Sequence, residues 1–572
     1  MPSFVQRALG LGCGVAVTVL AALLMWRVEA HGIVYWFGGW GPRNGFAIGI
    51  DFNIEPLGAG MCVVIAAVVT VALAYSEGYV KGAGRPYHAL MLLALGAMCG
   101  FALSGDIFNM FVWLELASTA GYALTGFSVR QLGPVQGAIN FAIVNALAGY
   151  VFATGLALLY GRTGTLNLAQ MGATLAGRPS GLVIVAMTLV FTALLTKGAC
   201  VPFHFWAADA YAVAPAPVCA MFGAVMTDLG LIGVARLYWL VFQAPFAGDA
   251  RTVGDLLLAI GLATALLGGV MALLQRHLRR MLAYSVICHI GIMLTGIALL
   301  GSKGLAGTAV MFVSHAGLVA ALFLATGILM AKYGSIDELT LHGRARSERL
   351  LATVWFAAAL GLVGVPYVGV YLGHALIDDG AAALGRHWVQ PITWLAGVLA
   401  GAALLRAGAR IFFGLGGTRA GLLGPNIDQQ PFDRDVSHPL LLGCAALAAA
   451  LGLSISLLPG IAQRAESAAD SFQNRAAWTA SILHGRPQPT RPQLPYAIAG
   501  SSRETIIYSA AAFVLVLAVA GVSLRGLRGR AQRLLEPAEA LKALHSGVAG
   551  DYILWLTIGI ATYGSIWAFT LR

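Results

Sequence analysis

The sequence predicts an all-α, polytopic membrane protein of about fifteen transmembrane helices, since runs of roughly 20 apolar residues recur from end to end. Of the 572 residues 59% are hydrophobic and only 10% charged, whereas roughly a quarter of the residues of a soluble protein are charged. The Lys and Arg behind the net charge of +11 sit in short loops between the apolar runs. That placement marks topology signals and excludes a nucleic-acid surface.

Taken in order, the expected spans are residues 8–26, 57–77, 86–104, 106–127, 136–159, 181–201, 215–241, 254–274, 281–300, 307–331, 349–376, 392–414, 438–462, 505–524 and 551–570. The first is similar to a signal-peptide core. Its run from Val15 to Leu24 passes into Met25, Trp26 and Arg27 without a small-residue cleavage site, so a retained helix is expected. Residues 28–56, with Trp36, Trp40, Pro42 and several glycines, are too polar and broken to span and predict an external hairpin or loop. Two long polar connections follow late in the chain. One, 463–504, carries Pro487, Pro489, Pro492 and Pro495. In the other, 525–550, Leu527, Leu534, Leu535, Leu541 and Leu544 alternate with Arg and Glu, predicting an amphipathic helix on the membrane surface or on a partner. The chain thus divides into an N-terminal helix and hairpin (1–56), a central domain (57–415) and C-terminal helices (416–572).

Three basic loops follow even-numbered spans: Arg276, Arg279 and Arg280; Lys332, Arg344, Arg346 and Arg349; and Arg525, Arg528, Arg530 and Arg533. They predict a cytoplasmic N-terminus and an external C-terminus. The seven cysteines, Cys13, Cys62, Cys99, Cys200, Cys219, Cys288 and Cys444, stand singly, without CxxC or other metal-cluster spacing, and read as small packing residues. No cofactor, metal or nucleophile motif is expected, so any redox chemistry belongs to another chain.

Two spans are interrupted by proline beside ionisable residues. Lys197 precedes Pro202 and His204, and Pro366 precedes Tyr371 and His374. A proline frees backbone carbonyls, which at membrane depth are tolerated only where protein or a hydrated cavity satisfies them. A pair of such breaks in the two halves of a chain points to an inverted-repeat transporter.

Ionisable groups inside the spans carry the candidate chemistry, because a charge at this depth costs several kcal/mol unless paired or hydrated. Glu115 lies mid-span among Phe111, Val112, Trp113, Leu114 and Leu116. A movable cation beside it would switch its proton affinity. Lys197 is the natural cation, since a buried lysine can release a proton and an arginine cannot. The plain alternatives are a structural ion pair for Glu115 and a lysine reaching for the helix end. His289 and His315, inside later spans, could relay protons, or could each be satisfied by a neighbouring hydroxyl or carbonyl. Asp228 and His374 are further intramembrane candidates. Asp106 and Arg236 lie nearer helix ends and read as boundary residues or loop anchors, while Arg406 and Arg410, one turn apart, are expected to pair across helices or to snorkel.

Three segments then resemble a known family. GDIFNMFVWLELAS (Gly105 to Ser118), LLTKGACVPFHFWAADAYAVAPAPVCA (Leu194 to Ala220) and QRHLRRMLAYSVICHIGIML (Gln275 to Leu294) are similar, in order and spacing, to signatures of the proton-conducting membrane subunits of complex I. The same signatures occur in Mrp-type cation/proton antiporters and membrane-bound hydrogenases, and the resemblance runs from about residue 30 to 415. It implies two inverted five-helix repeats, each with a broken helix, and a line of charged residues through the membrane middle. Glu115 falls on the family's glutamate, Lys197 on its broken-helix lysine, and His289 and His315 on its central histidines. It also implies a non-redox subunit of a multisubunit complex in a bacterial-type plasma membrane, with other membrane subunits as partners and protons or sodium as the coupling ion. Departures are specific. Asp228 replaces a lysine after Thr227, Val319 replaces the lysine of a His-Ala-x-x-Lys pattern that begins at His315, His374 replaces a terminal lysine or glutamate, and one helix before the hairpin is missing. These leave open an alternative, a non-conducting structural or anchoring subunit of a related redox or ion-uptake complex.

Overall fold

Thirteen helices among the described residues are long and apolar enough to cross a membrane, and each coincides with an expected span. The computed structural model describes residues 3–28, 32–80, 84–177, 179–417, 438–486, 503–525 and 544–571. The two remaining expected spans fall on shorter apolar helices, Gly181–Lys197 and Arg349–Val363. Each stops a few residues before its proline, runs through a non-helical stretch, and resumes as Phe205–Val213 or Tyr371–Ala383. Proline has no N–H to donate and its ring collides with the preceding turn, so neither helix can run through.

Leu278–Ala298 forms the axis of the bundle, with its apolar window wholly buried, whereas only 17% of the window is buried in Val5–Val28 and in Ala549–Thr570. The axis packs against Ala250–Leu274 and Ser302–Tyr333. Outer helices turn large apolar side chains such as Leu20, Trp26, Val514 and Phe569 outward, as a hydrocarbon surround requires.

Residues 33–54 fold as the expected hairpin. Ile33–Trp36 pairs antiparallel with Asp51–Ile54, with Ile33 opposite Ile54 and Trp36 opposite Asp51. Glu55 then caps the helix Pro56–Tyr79, accepting from the Gly58 N–H at 2.6 Å. Pro56 stands at the first helical position, where a missing N–H costs nothing.

One expectation needs correction, and the buried or paired basic residues can now be placed. The polar connection from 463 is helical in its described part, as Ile461–Gln473 and Arg475–His484. Ala462, Ala465, Ala469 and Phe472 recur at helical spacing and are buried, so the stretch is an amphipathic helix with small apolar residues. Pro487, Pro489, Pro492 and Pro495 lie outside the described residues, as do Leu527, Leu534, Leu535 and Leu541 of the expected connector helix. Arg236, expected as a boundary residue or loop anchor, is an anchor. It is 1% exposed, forms an ion pair with Glu55 and donates to the Ala102 and Ser104 carbonyls. Of the basic residues read as loop signals, Lys332, Arg344, Arg346, Arg349 and Arg525 are exposed, and several of the set also hold ion pairs or hydrogen bonds. Arg276 pairs with Asp337 and Lys332 with Glu348. Arg280 meets Asp209 at 3.1 Å, and Arg279 donates to the Ala214 carbonyl and the Tyr79 hydroxyl. Arg406 and Arg410 pair across helices, both with the buried Glu338. Arg528, Arg530 and Arg533 lie outside the described residues.

Candidate functional site

Lys197 is the last residue of Gly181–Lys197, where the aligned peptide dipoles of the helix favour a cation. Its ammonium donates to Glu115 Oε1 at 2.8 Å and to Ser118 Oγ at 2.7 Å. Glu115 and Ser118 lie three residues apart on one face of Ile107–Thr125, so a single helix supplies both acceptors. The lysine is 5% exposed and so does not reach for the helix end. The Glu115 side chain keeps 28% of its surface open, so this half of the pair is not sealed by the chain itself. Gly149, on the neighbouring helix Leu132–Thr163, is what gives the carboxylate room: a Cβ there would stand 2.6 Å from Oε1.

Backbone groups freed by the first break find partners from distant helices, as expected. Thr264 Oγ1 accepts from the Val201 N–H at 3.0 Å, the Tyr563 hydroxyl donates to the Val201 carbonyl at 2.6 Å, and Trp206 Nε1 donates to the Thr196 carbonyl at 2.9 Å. The second break is closed in the same manner. Ser509 donates to the Gly364 carbonyl at 2.6 Å and Ser456 to the Gly369 carbonyl at 2.5 Å. His289 Nε2 lies 3.2 Å from the carbonyl of Leu362, at the end of the first half-helix.

His289 and His315 come together, with ring centroids 5.0 Å apart. His289 Nδ1 faces the Ser285 carbonyl at 2.7 Å, so both its nitrogens meet acceptors. Only the doubly protonated ring can satisfy both. Neither nitrogen of the buried His315 has a hydrogen-bond partner among the described residues. His374, also buried, follows the second break and packs its ring 5.1 Å from that of Trp394. Asp228 starts the helix Asp228–Leu237, directly after a π-helical turn at Phe222–Met226. Its carboxylate is buried without a hydrogen-bond partner among the described residues. It lines a cavity of about 1600 Å³ shared with Met25, Leu57, Met293, Leu305 and Phe312. Glu115 with Lys197 and His289 with His315 are therefore brought into contact; His374 lies within electrostatic reach of His289 without touching it, whereas Asp228 has no hydrogen bond to either pair.

Several groups went unread in the sequence, while Asp106, expected as a boundary residue, is one. Asp209 accepts from Tyr552 and pairs with Arg280. Glu55 and Glu338 neutralise intramembrane arginines. Asp51 and Asp106 sit at the head of the Glu115 helix, where Asp106 caps Ile107–Thr125 by accepting from the Asn109 N–H at 2.8 Å, and Asp51 accepts from Asn167 at 2.9 Å. Burial, with Asp106 nearby, pushes the Asp51 carboxyl up to about 7, and burial pushes Asp106 up to about 6. A carboxylate just outside an apolar run was the available signal for Glu55, Asp51 and Asp106. Among the described residues no three His, Cys, Asp or Glu side chains are placed to hold a metal ion.

Comparison with known proteins accords with this geometry. The profile described as NADH:quinone oxidoreductase/Mrp antiporter, TM, matches residues 104–400. The N subunit of NADH-quinone oxidoreductase from Desulforudis audaxviator is 33% identical over 337 residues, which are 58% of this chain and 66%, just under two thirds, of that relative. The D-type subunit of the Na(+)/H(+) antiporter of Bacillus subtilis is 26% identical over 402 residues, 69% of this chain and 79% of the relative. In the structure of the Mrp complex from Dietzia sp. DQ12-45-1b, one chain superposes with a TM-score of 0.72 at 25% identity, covering 84% of this chain and 94% of that one. A chain of respiratory complex I from Thermus thermophilus shares the fold, with a TM-score of 0.62 at 21% identity over 80% of this chain and 93% of that one. The family match spans more than half of the sequence and contains both broken helices together with Glu115, Lys197, Asp228, His289, His315 and His374. This multi-pass membrane protein therefore belongs to the NADH:quinone oxidoreductase/Mrp antiporter family of membrane subunits.

Proposed function

We propose that the chain is a proton-translocating antiporter-like subunit of a multisubunit complex in a bacterial plasma membrane, itself without redox chemistry. The observation that carries this reading is the contact at 2.8 Å between Lys197 and Glu115 beside a helix break. In the closed pair the ammonium and the carboxylate are each other's counter-ion. Drawing the carboxylate away leaves a buried ammonium without its counter-ion, and the cheapest relief is release of its proton into the break. The released proton moves through the central His289 and His315 and leaves by way of His374, with Asp228 standing in as a titratable group where relatives carry a lysine. Two inverted five-helix repeats, each closing on its own broken helix, would supply the two half-channels.

The unsealed part of Glu115 supports partner subunits. A carboxylate turned to hydrocarbon costs several kcal/mol, so this face calls for a protein cover, and a neighbour pressing on it would be able to open the pair. Protons, exchanged with sodium in an Mrp-like assembly or driven by a redox partner in a complex-I-like one, fit the same machinery. Glu115→Gln keeps shape and hydrogen bonding but not charge. The assembled variant complex, reconstituted in vesicles with a pH-sensitive dye, is expected to lose proton transport. Wild-type transport in that variant would remove Glu115 from the mechanism.

A further inference from the structure

The C-terminal segment is fastened to the first broken helix at three points and to the neighbouring helix Leu132–Thr163 at a fourth. Tyr563, in Ala549–Thr570, donates to the Val201 carbonyl inside the break. Gly559 of the same helix lies so close to Phe203 and Pro202 that a Cβ would collide with both. Tyr552 donates to Asp209 Oδ2 at 2.6 Å, and Asn140 donates to the Gly547 carbonyl at 2.8 Å. At the edge of this seam His545, partly exposed, meets His204, which is 1% exposed, with their Nε2 atoms 2.9 Å apart.

Packing alone does not call for two imidazoles in nitrogen-to-nitrogen contact. At 2.9 Å one ring must donate and the other accept, so a single proton lies between them. The inner ring continues inward, because His204 Nδ1 is buried and has no hydrogen-bond partner among the described residues. His204 opens the second half of the broken helix, and Trp206, two residues on, is bonded to the Thr196 carbonyl beside Lys197. The histidine pair thus joins a solvent-accessible edge to the neighbourhood of the lysine. Phe205 packs against His545 with ring centroids 4.7 Å apart, and the Tyr284 ring lies 5.6 Å from it. The charged groups at the seam, Asp209 and Arg280, are paired with each other at 3.1 Å. Beside that pair, the two rings share the Nε2 contact at 2.9 Å across which a proton can pass.

We propose that His545 and His204 form a proton-uptake relay feeding the first broken helix, built by the C-terminal segment; it rests on the proton-translocating reading above. His545 takes a proton from water on Nδ1 and passes its Nε2 proton to Nε2 of His204, which releases its own Nδ1 proton inward. One proton arrives and one departs, leaving both rings in the opposite tautomer, so each ring has to return its N–H to the other nitrogen before the next proton passes.

The test uses the complete complex in dye-loaded vesicles. Wild-type complex that moved no protons would overturn the translocation reading and this relay together. Given wild-type transport, His545→Gln, which still offers His204 a hydrogen-bond partner, is expected to lower the initial rate about tenfold with assembly intact. His545→Ala should fall similarly and regain at least half of the lost rate when imidazole is added, whereas Glu115→Gln should gain nothing from imidazole. An unchanged rate in His545→Gln would overturn the relay and leave the translocation reading standing. Loss without imidazole rescue would do the same and reduce His545 to a strap.

Discussion

Gly149→Ala adds one methyl group beside the central ion pair. The new Cβ would lie 2.6 Å from Glu115 Oε1 and 2.7 Å from its Cδ. An ordinary contact needs about 3.4 Å or more, so the carboxylate withdraws by about 0.7 Å. Taken from the Lys197 side, that lengthens the contact to roughly 3.5 Å, beyond hydrogen-bond range. With an effective dielectric constant of about 20, the attraction falls from about 6 to about 5 kcal/mol. Alanine in place of glycine returns about 1 kcal/mol to the helix itself, so the thermal stability of the assembled complex should hardly move. The balance between closed and open pair has no such compensation. A bias of about 1 kcal/mol, more once the charge-assisted hydrogen bond is lost, lowers the coupled rate by about five- to tenfold or more. Dye-monitored transport and thermal melting of the same preparation check both halves. Normal transport with an unchanged melt would mean that the Lys197–Glu115 distance does not set the rate, and the reasoning from Gly149 would fail.

Lys197→Arg conserves charge yet should abolish transport, because a guanidinium keeps its proton at any accessible pH; an arginine variant working at the wild-type rate would make the lysine a fixed electrostatic post. Asp51 offers a stability test. Its carboxyl is raised to about 7 from an ordinary value of 3.8, so the stabilisation it gives is complete below about pH 4 and is lost as pH rises through 7, an effect of about 4 kcal/mol over three units. Asp51→Asn should flatten the pH dependence of hydrogen-exchange protection in the hairpin between about pH 4 and 8, and an unaltered slope would place the titration elsewhere.

Most of the bundle was legible because hydrocarbon enforces a simple rule: a spanning helix needs about 20 apolar residues, and every expected span lies on a helix. Glu115 and Lys197, 82 positions apart, were also legible as partners. A charge at that depth needs an opposite, and the first half of the chain offered few. The partner of Arg236 was hidden because Glu55 sits in the turn after the hairpin, where a carboxylate looks solvated. Glu338 was hidden for the same reason, lying in a polar connection that folds back onto Arg406 and Arg410. The helices after residue 460 were missed because alanine between Arg and Glu averages to a polar stretch, although its spacing is helical. The contact between His545 and His204 joins residues 341 positions apart, and no local pattern announces it.

The seam between the last helix and the first break also constrains biosynthesis. The Val201 carbonyl receives its hydrogen bond from Tyr563, 362 residues later in the chain. At about 5 to 20 residues per second, roughly 20 to 70 seconds pass between the two reaching the ribosome exit. Throughout that interval the broken helix has an exposed backbone group that lipid cannot satisfy. The nascent bundle therefore has to be sheltered by water or by the insertion machinery until its final helix arrives. A ribosome stalled before residue 563 would leave a chain with nearly all of its helices inserted and its central break still open.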